Sequence, residues 1–343
     1  MTCVGGQYVY DIICALRSAD DFTVTVIGVD ADPASKGSWL ADHFEIIPMA
    51  KSNEELYCHE LARICEKHRV DILILGSEAE TRAVAWYPSV FTQLGIKTTA
   101  DNIHAVHLLT DKFTMLDFLK KKGIEVGAYV PVDSIADAEQ ALDTLGYSSS
   151  HPVIFKPRQG TGSRGVLIAD NTLSEFTYLL PNRFCGRGPI EAIVREMENQ
   201  GEIFDNCLAM PYYGDQAYDV DCVAIQGKAV HVIPRLRQYT NPLSPVNEGC
   251  KVIMEHDLIS YISEIIEVFG INGVCDFDVT RDNQGVPKIL DASSRMSGSV
   301  GATFTAGVNI PAQLVRILSD LPLKRYDIQN GVELRSVHHF VTI

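Results

Sequence analysis

The sequence predicts a chain of α/β and α+β parts: a parallel α/β unit, then a larger unit whose sheet is mostly antiparallel. Three observations predict it. Apolar strands alternate with amphipathic helices through residues 1–100, the mark of a parallel sheet covered on both faces. A strand, a glycine-rich loop and a second strand follow one another over 153–169. The last third alternates strands with one clear helix.

The elements follow in order. Residues 7–17 carry Val9, Ile12, Ile13 and Leu16 at helical spacing. Residues 22–30 read as a buried strand, 54–68 as a helix with Leu56, Leu61, Ile64 and Cys65 on one side, and 71–76 as a second buried strand. The opening is unusual. Val4-Gly5-Gly6 is the expected first strand-to-helix turn, which leaves only Met1, Thr2 and Cys3 for the strand before it. That strand is a stub, or the chain starts late. Helices are expected over 112–122, closed by Gly123, and over 135–145. A helix from 191 hands over to an apolar strand at 207–210, and 257–269 forms the last clear helix.

Composition bounds the function. At 343 residues the chain exceeds the usual size of one domain, and 46% hydrophobic with 21% charged residues excludes disorder. Lysine and arginine total 29 against 44 acids, a net charge of -15. Such acidity argues against nucleic acid or an anionic membrane as the main partner, but leaves room for a small anion in a local basic pocket. No apolar run approaches the roughly 20 residues of a membrane span. Residues 1–6 do not form a signal segment. The nine cysteines include no Cys-x-x-Cys pair and sit mostly in apolar stretches, which points to buried free thiols in a reducing cytoplasm.

The loop Gly160-Thr161-Gly162-Ser163-Arg164-Gly165 fits G-x-G-x-x-G literally. A dinucleotide fingerprint requires a helix after the glycines, and here a strand follows. A Walker loop ends in Gly-Lys-Ser/Thr, and here Lys156 precedes the glycines. A strand–loop–strand flap closing backbone N–H groups over phosphates fits better, with Lys156 reaching the phosphate oxygens. Protein kinases carry such a flap, but no His-Arg-Asp or Asp-Phe-Gly occurs here. The alternative is a flexible hairpin with an exposed lysine.

Residues 274–279 form a strand with Asp276 and Asp278 on one face. A turn at 281–285 leads to a second strand ending at Asp291, so the hairpin brings Asp291 near Asp276 or Asp278. Ser293 falls on the face of Asp291. Oxygen ligands grouped this way suit Mg²⁺ shared with substrate phosphates; they equally suit an acidic solvent-facing hairpin. Arg295 follows, placed to clamp a phosphate or to pair with one of these acids.

Taken in order, Asp111-Lys112, Lys156 with its flap, Tyr218-Asp219-Val220-Asp221, Asp276 to Asp278 and Asp291-Ala292-Ser293-Ser294-Arg295 resemble the ATP-grasp superfamily. The likeness is to stand-alone proteins similar to the carbamoyl-phosphate synthase large subunit, and it runs from Gly5 to about Leu323. The resemblance implies a pre-ATP-grasp α/β domain at 1–110, a mobile ATP-grasp lid at 111–209 and a C-terminal ATP-grasp subdomain at 210–343. It implies ATP and Mg²⁺, with Mn²⁺ as a substitute, and an ATP-dependent carboxylate–amine ligase acting through an acyl phosphate. The partners are then a small carboxylic acid and an amine, with a homodimer allowed.

Residue by residue, Lys112 and Lys156 match the lysines on the ATP phosphates, and Gly160, Gly162, Ser163 and Gly165 match the flap. Met210 to Tyr213 fall where a hinge strand reads adenine, with Asp215 beside them. Asp276, Asp291 and Ser293 match metal-ligand positions. Arg295 matches the arginine on the acyl phosphate, and Arg235 lies in a pattern near the transferred phosphate. No general base stands out; His231, His338 and His339 are candidates by residue type. Glu78, Glu80 and Arg82 follow a parallel strand, where substrates commonly bind, and equally suit helix N-terminal acids.

The chain departs from the family at three places. Asp291-Ala292-Ser293-Ser294-Arg295 replaces Glu-x-Asn-Pro-Arg, Met210 and Ala217 replace hinge glutamates, and the first strand is nearly absent. These departures support a rival reading, a nucleotide-binding sensor that kept the fold and lost turnover. A second rival is a dinucleotide-dependent oxidoreductase, with Gly5-Gly6 as the turn and Asp30 as the ribose acid.

Overall fold

A computed structural model describes residues 1–99, 102–160, 162–180, 183–238 and 248–337. Its first part is a parallel layer. Ile27–Asp30 pairs with His43–Ile46, and Ile72–Leu73 pairs with Lys97–Thr98, both parallel. Residues 1–4 join the two pairs. Val29 N donates to Met1 O at 3.0 Å, Val4 N to Val29 O at 3.3 Å, and Thr2 N to Ile74 O at 3.0 Å. The opening residues thus hydrogen-bond on both sides. The expected strand over 22–30 begins only at Ile27, because its partner starts there. Val26 instead turns to Asp42, donating to its carboxylate at 2.7 Å and accepting from its N–H at 2.9 Å.

The helix Glu54–His68 forms where expected, but Leu56 lies on its exposed side, and Tyr57 and Cys58 take its place in the core. The Asn53 side chain accepts from Leu56 N, and Arg69 closes the helix in the left-handed region at φ 53°. Its inner face buries Tyr57, Cys58, Leu61, Ile64 and Cys65.

The second part is a six-stranded sheet in the order Val130–Val132, Cys207–Pro211, Val153–Pro157, Leu167–Ala169, Gly186–Gly188, Thr177–Tyr178. Val153–Pro157 pairs antiparallel with Leu167–Ala169, so the glycine loop does connect two adjacent strands. Helices Ile135–Thr144 and Ile190–Gln200 cover this sheet around Phe155, Leu167, Ile193 and Ala209.

The third part is a six-stranded antiparallel sheet in the order Pro287–Ser293, Gly273–Arg281, Tyr218–Ile225, Lys228–Gln238, Gly249–Val252, Glu333–Arg335. Alternation along its strands sorts the side chains. Val220, Cys222, Phe277, Val279 and Ile289 pack against helix His256–Phe269. On the opposite face, Val223, Ile233 and Val274 lie in one apolar cluster with Leu314 and Val315 of helix Ile310–Leu318, a further helix beyond the one expected at 257–269. Further along, that same face carries Asp219, Asp221, Asp276, Asp278, Asp291 and Ser293. One face is therefore apolar at one end and acidic at the other, which sets the ledge of the site described below.

All nine cysteines are free thiols, seven of them buried. Among the described residues no helix is long and apolar enough to cross a membrane.

Phe277 is 0% exposed between the central strands and helix His256–Phe269. Phe277→Ala is expected to cost about 3–5 kcal/mol of stability, read as a lower urea midpoint with nearly unchanged far-ultraviolet circular dichroism.

Candidate active site: a cleft between flap and acidic ledge

The three parts meet at a cleft of about 520 Å³. Its roof is the glycine loop, its floor the acidic end of the third sheet, and one wall the start of the parallel layer. Lys112, Lys156, Gly160, Gly162, Ser163, Tyr213, Asp215, Asp276, Asp291, Ser293, Arg295 and Glu78 all line it.

The roof is built for backbone exposure. Gly160, Gly162 and Gly165 have φ of 144°, 71° and 72°. At Gly165 an added Cβ would meet Pro157 Cγ at 2.8 Å, so a side chain there is excluded twice over. Gly165 does not itself line the cleft; it turns the chain back into Leu167–Ala169. Thr161 lies outside the described residues. The root of the loop is latched to helix Lys112–Lys121. Asp111 caps that helix at Thr114 N (2.9 Å) and pairs with Arg158 (3.0 Å), while Lys112 N donates to Arg158 O at 2.9 Å.

Two lysines stand under the roof. Lys112 Nζ lies 3.1 Å from Asp291 Oδ2 and donates to Gly160 O at 3.2 Å, so it ties floor to roof. Lys156 is 9% exposed, and its Nζ has no hydrogen bond or ion pair among the described residues. Burial pulls its ammonium down to about 8, with Lys112 adding to the effect and Asp291 opposing it. A buried cation without a partner is a costly feature unless a ligand supplies the charge.

The floor is a grid set by strand register. Arg235, Asp219, Asp278 and Asp291 are successive cross-strand partners. Asp221, Asp276 and Ser293 form the next row. A bulge between Asp278 and Val279 leaves Leu290 extra on the partner strand; Leu290 lines the cleft. Bulges often re-aim side chains beside functional sites. Asp276 is pushed well above the carboxylate range by burial and by Asp221, Asp278 and Asp219. Asp278 rises to about 6, through burial, against the pull of Arg237. Asp276 Oδ1 and Ser293 Oγ are buried without a hydrogen-bond partner.

Several expected site residues lie elsewhere. Arg235 is 0% exposed and off the cleft surface. It donates to Asp221 at 2.8 Å and to Ser299 Oγ at 3.0 Å, so it fixes the sheet and the 297–299 loop rather than meeting a phosphate. The Met210 side chain points into the apolar core, which leaves its backbone for the expected hinge role, and Pro211, Tyr212 and Tyr213 line the cleft after it. Glu80 is buried and accepts from Thr2 Oγ1 at 2.6 Å. Arg82 turns to Glu54 at 2.7 Å. Both are absent from the cleft because helix Glu78–Trp86 rotates them away from it. His231 is buried against Gln313 (3.0 Å), and His338 and His339 lie outside the described residues. Asp30, the ribose acid of the oxidoreductase reading, accepts from Gly5 N at 2.7 Å and Asp32 N at 3.0 Å.

Arg164 of the flap and Arg237, which shares the expected phosphate pattern with Arg235, also line the cleft; Asp219, Arg183 and Tyr8 line it with no role assigned from sequence. Arg237 pairs with Asp219 and donates to Asp278 at 2.6 Å. Its alternation with Arg235 along one strand was the available signal. Tyr8 reaches the cleft through its contact with Gly76 O, which no local pattern announces.

A hairpin roof over a lysine, facing an antiparallel acidic floor with a parallel α/β layer beside it, is the ATP-grasp architecture, and the chain has that fold. Residues 203–340 match the family model "ATP-grasp in the biosynthetic pathway with Ter operon". The carbamoyl phosphate synthase large chain of Clostridium acetobutylicum is 21% identical over 82% of this chain. The chain spans 25% of that protein's length. Three similar solved structures are an N5-carboxyaminoimidazole ribonucleotide synthetase in complex with ADP, an L-amino acid ligase from Bacillus licheniformis, and the biotin carboxylase domain of a 2-oxoglutarate carboxylase from Hydrogenobacter thermophilus. The first superposes with a TM-score of 0.69 at 16% identity, covering 96% of this chain and 78% of that one. The second gives 0.65 at 12%, covering 90% and 72%. The third gives 0.70 at 14%, covering 94% and 71%.

Two outcomes follow. Removing Arg235 leaves Asp221 buried and unpaired, so Arg235→Met is expected to cost about 3–5 kcal/mol of stability, read by chemical denaturation. An anionic ligand binds Lys156 in its charged form. Free Lys156 loses its proton above about pH 8, so ATP affinity is expected to fall up to tenfold per pH unit beyond that point. Calorimetry on Lys156→Met should give weaker binding below about pH 8 and no such break, the two proteins converging as pH rises.

Proposed function

We propose that the chain is an ATP- and Mg²⁺-dependent ligase that activates a carboxylate as an acyl phosphate and joins it to an amine. The observation that carries this reading is the unpartnered, buried Lys156 beneath the glycine roof, in the same cleft as Asp278 and Asp291. We take residues 1–110, 111–209 and 210–343 as its α/β, lid and C-terminal units.

The floor fits a divalent cation. Asp278 and Asp291 are cross-strand neighbours, and the orphaned Asp276 Oδ1 and Ser293 Oγ sit in the next row. Among the described residues no three His, Cys, Asp or Glu side chains form a ready-made cation cluster. The remaining ligands then come from phosphate oxygens and water, as suits Mg²⁺, and Mn²⁺ in its place. When bound, the cation offsets charge on the β- and γ-phosphates and lowers the barrier to phosphoryl transfer.

The chain's own residues supply position and charge. Lys156 and Lys112 hold the phosphates from below the roof, and backbone N–H groups of the loop close from above. A carboxylate oxygen attacks the γ-phosphorus; the bond from that phosphorus to the β–γ bridging oxygen breaks, and ADP leaves. Arg295 neutralises the acyl phosphate. The amine then attacks the acyl carbon, loses a proton, and expels inorganic phosphate. The roof keeps water from the acyl phosphate meanwhile. Tyr212, Tyr213 and Asp215 line the hinge side, where the base and ribose lie.

A second reading, nucleotide binding without turnover, draws on Ser293 and Ala217 in the cleft wall. An ADP-release screen over amino and organic acids, each paired with candidate amines, separates the two. The ligase reading expects ADP only when acid and amine are both present; ATP binding with no ADP release across the panel contradicts it. Lys156→Ala is expected to weaken ATP binding by about 30–100-fold, the loss of one charge-assisted contact. Unchanged affinity in calorimetry would remove the roof from the site.

A further inference from the structure

At the wall of the cleft, two opposite charges lie side by side without satisfying each other. Glu78 Oε1 is 3.8 Å from Arg295 Nη2. A charge-assisted hydrogen bond closes to about 2.7–2.9 Å, so this pair is in electrostatic contact only. Glu78 has no hydrogen-bond partner among the described residues. Arg295 donates from Nη1 to Met296 O at 2.8 Å, and its Nε is buried with no partner. Both side chains line the cleft, beside Gly6, Ser77 and Gly298, which add little bulk.

The two charges come from different parts of the fold. Glu78 opens the helix Glu78–Trp86 of the parallel layer, and Arg295 follows the strand Pro287–Ser293 of the floor. A ligand lodged between them touches the wall and the floor at once.

We propose that the carboxylate substrate is an α-amino acid, bound as a zwitterion with its ammonium on Glu78 and its carboxylate on Arg295. This rests on the ligase reading for its role as substrate, though its binding is testable alone. A simple carboxylate would satisfy Arg295 but bring its charge against Glu78 and the nearby Asp291. A simple amine would satisfy Glu78 and face Arg295. Only a ligand with both signs on neighbouring atoms satisfies both groups, so the arrangement selects by repulsion as well as attraction. Burial and then Asp291 push the Glu78 carboxyl up to about 7, while Arg295, Lys112 and Lys51 pull it down.

The test titrates the full chain by calorimetry, with and without Mg-ADP, using the common L-α-amino acids and their des-amino counterparts: propionate for alanine, succinate for aspartate, glutarate for glutamate, 3-phenylpropionate for phenylalanine. At least one amino acid is expected to bind at millimolar concentration or below, with its des-amino counterpart at least 30-fold weaker. Glu78→Gln keeps the side-chain shape and is expected to shrink that ratio to under about threefold. Binding of no amino acid, equal binding of the des-amino acid, or an unchanged ratio in Glu78→Gln each overturns the proposal. An amino acid that binds as expected, with no ADP release across the acid and amine panel, leaves this assignment standing and removes the ligase reading instead.

Discussion

The structure depends on crowding five carboxylates onto one end of one sheet face. Cross-strand neighbours sit about 5 Å apart. Two like charges at that distance repel by roughly 3 kcal/mol at an effective dielectric constant of about 20. The fold tolerates this in two ways. Arg235 and Arg237 neutralise Asp221 and Asp219 from the adjacent strand, as permanent buried pairs. Asp278 shares Arg237 with Asp219 and Asp276 has no ion pair among the described residues, and both rise toward the protonated form. The floor therefore divides into a neutralised half that holds the sheet together and a half that still wants cations.

The lysines complete that division. Lys112 spends its charge on Asp291 and on the loop carbonyl at once, so whatever takes Asp291 also frees Lys112 and loosens its hold on the roof. Lys156 spends its charge on no side chain among the described residues. Desolvation wins over the distant attraction of Asp291 there, which is why its ammonium is depressed rather than raised. A partner for the floor and a partner for Lys156 must carry opposite signs, and a metal-bound phosphate chain carries both.

Much of this was legible in the sequence because it is local. Helix Glu54–His68, the hairpin around Lys156, and the Asp278–Asp291 pairing follow from apolar period, glycine placement and strand alternation. What was not legible depends on register and rotation. Glu80 and Arg82 share a motif with Glu78, yet helical rotation carries them into the core and toward Glu54. Arg235 reads as a phosphate ligand until its burial against Asp221 is known. Met210 reads as a hinge residue, and alternation turns its side chain inward. The contact of Tyr8 with Gly76, and the hydrogen bonds of residues 1–4, exist only once distant segments have docked.

In the proposed function, floor and roof act together on one ligand, through a cation that the floor alone holds weakly. Calorimetry of ATP binding with and without Mg²⁺, on the unmodified chain and on Asp291→Asn, measures that coupling directly. Binding is expected to be at least tenfold tighter with Mg²⁺ in the unmodified chain, with a much smaller gain in Asp291→Asn. ATP binding that is indifferent to Mg²⁺, or a gain that Asp291→Asn leaves intact, would show that floor and roof are not coupled.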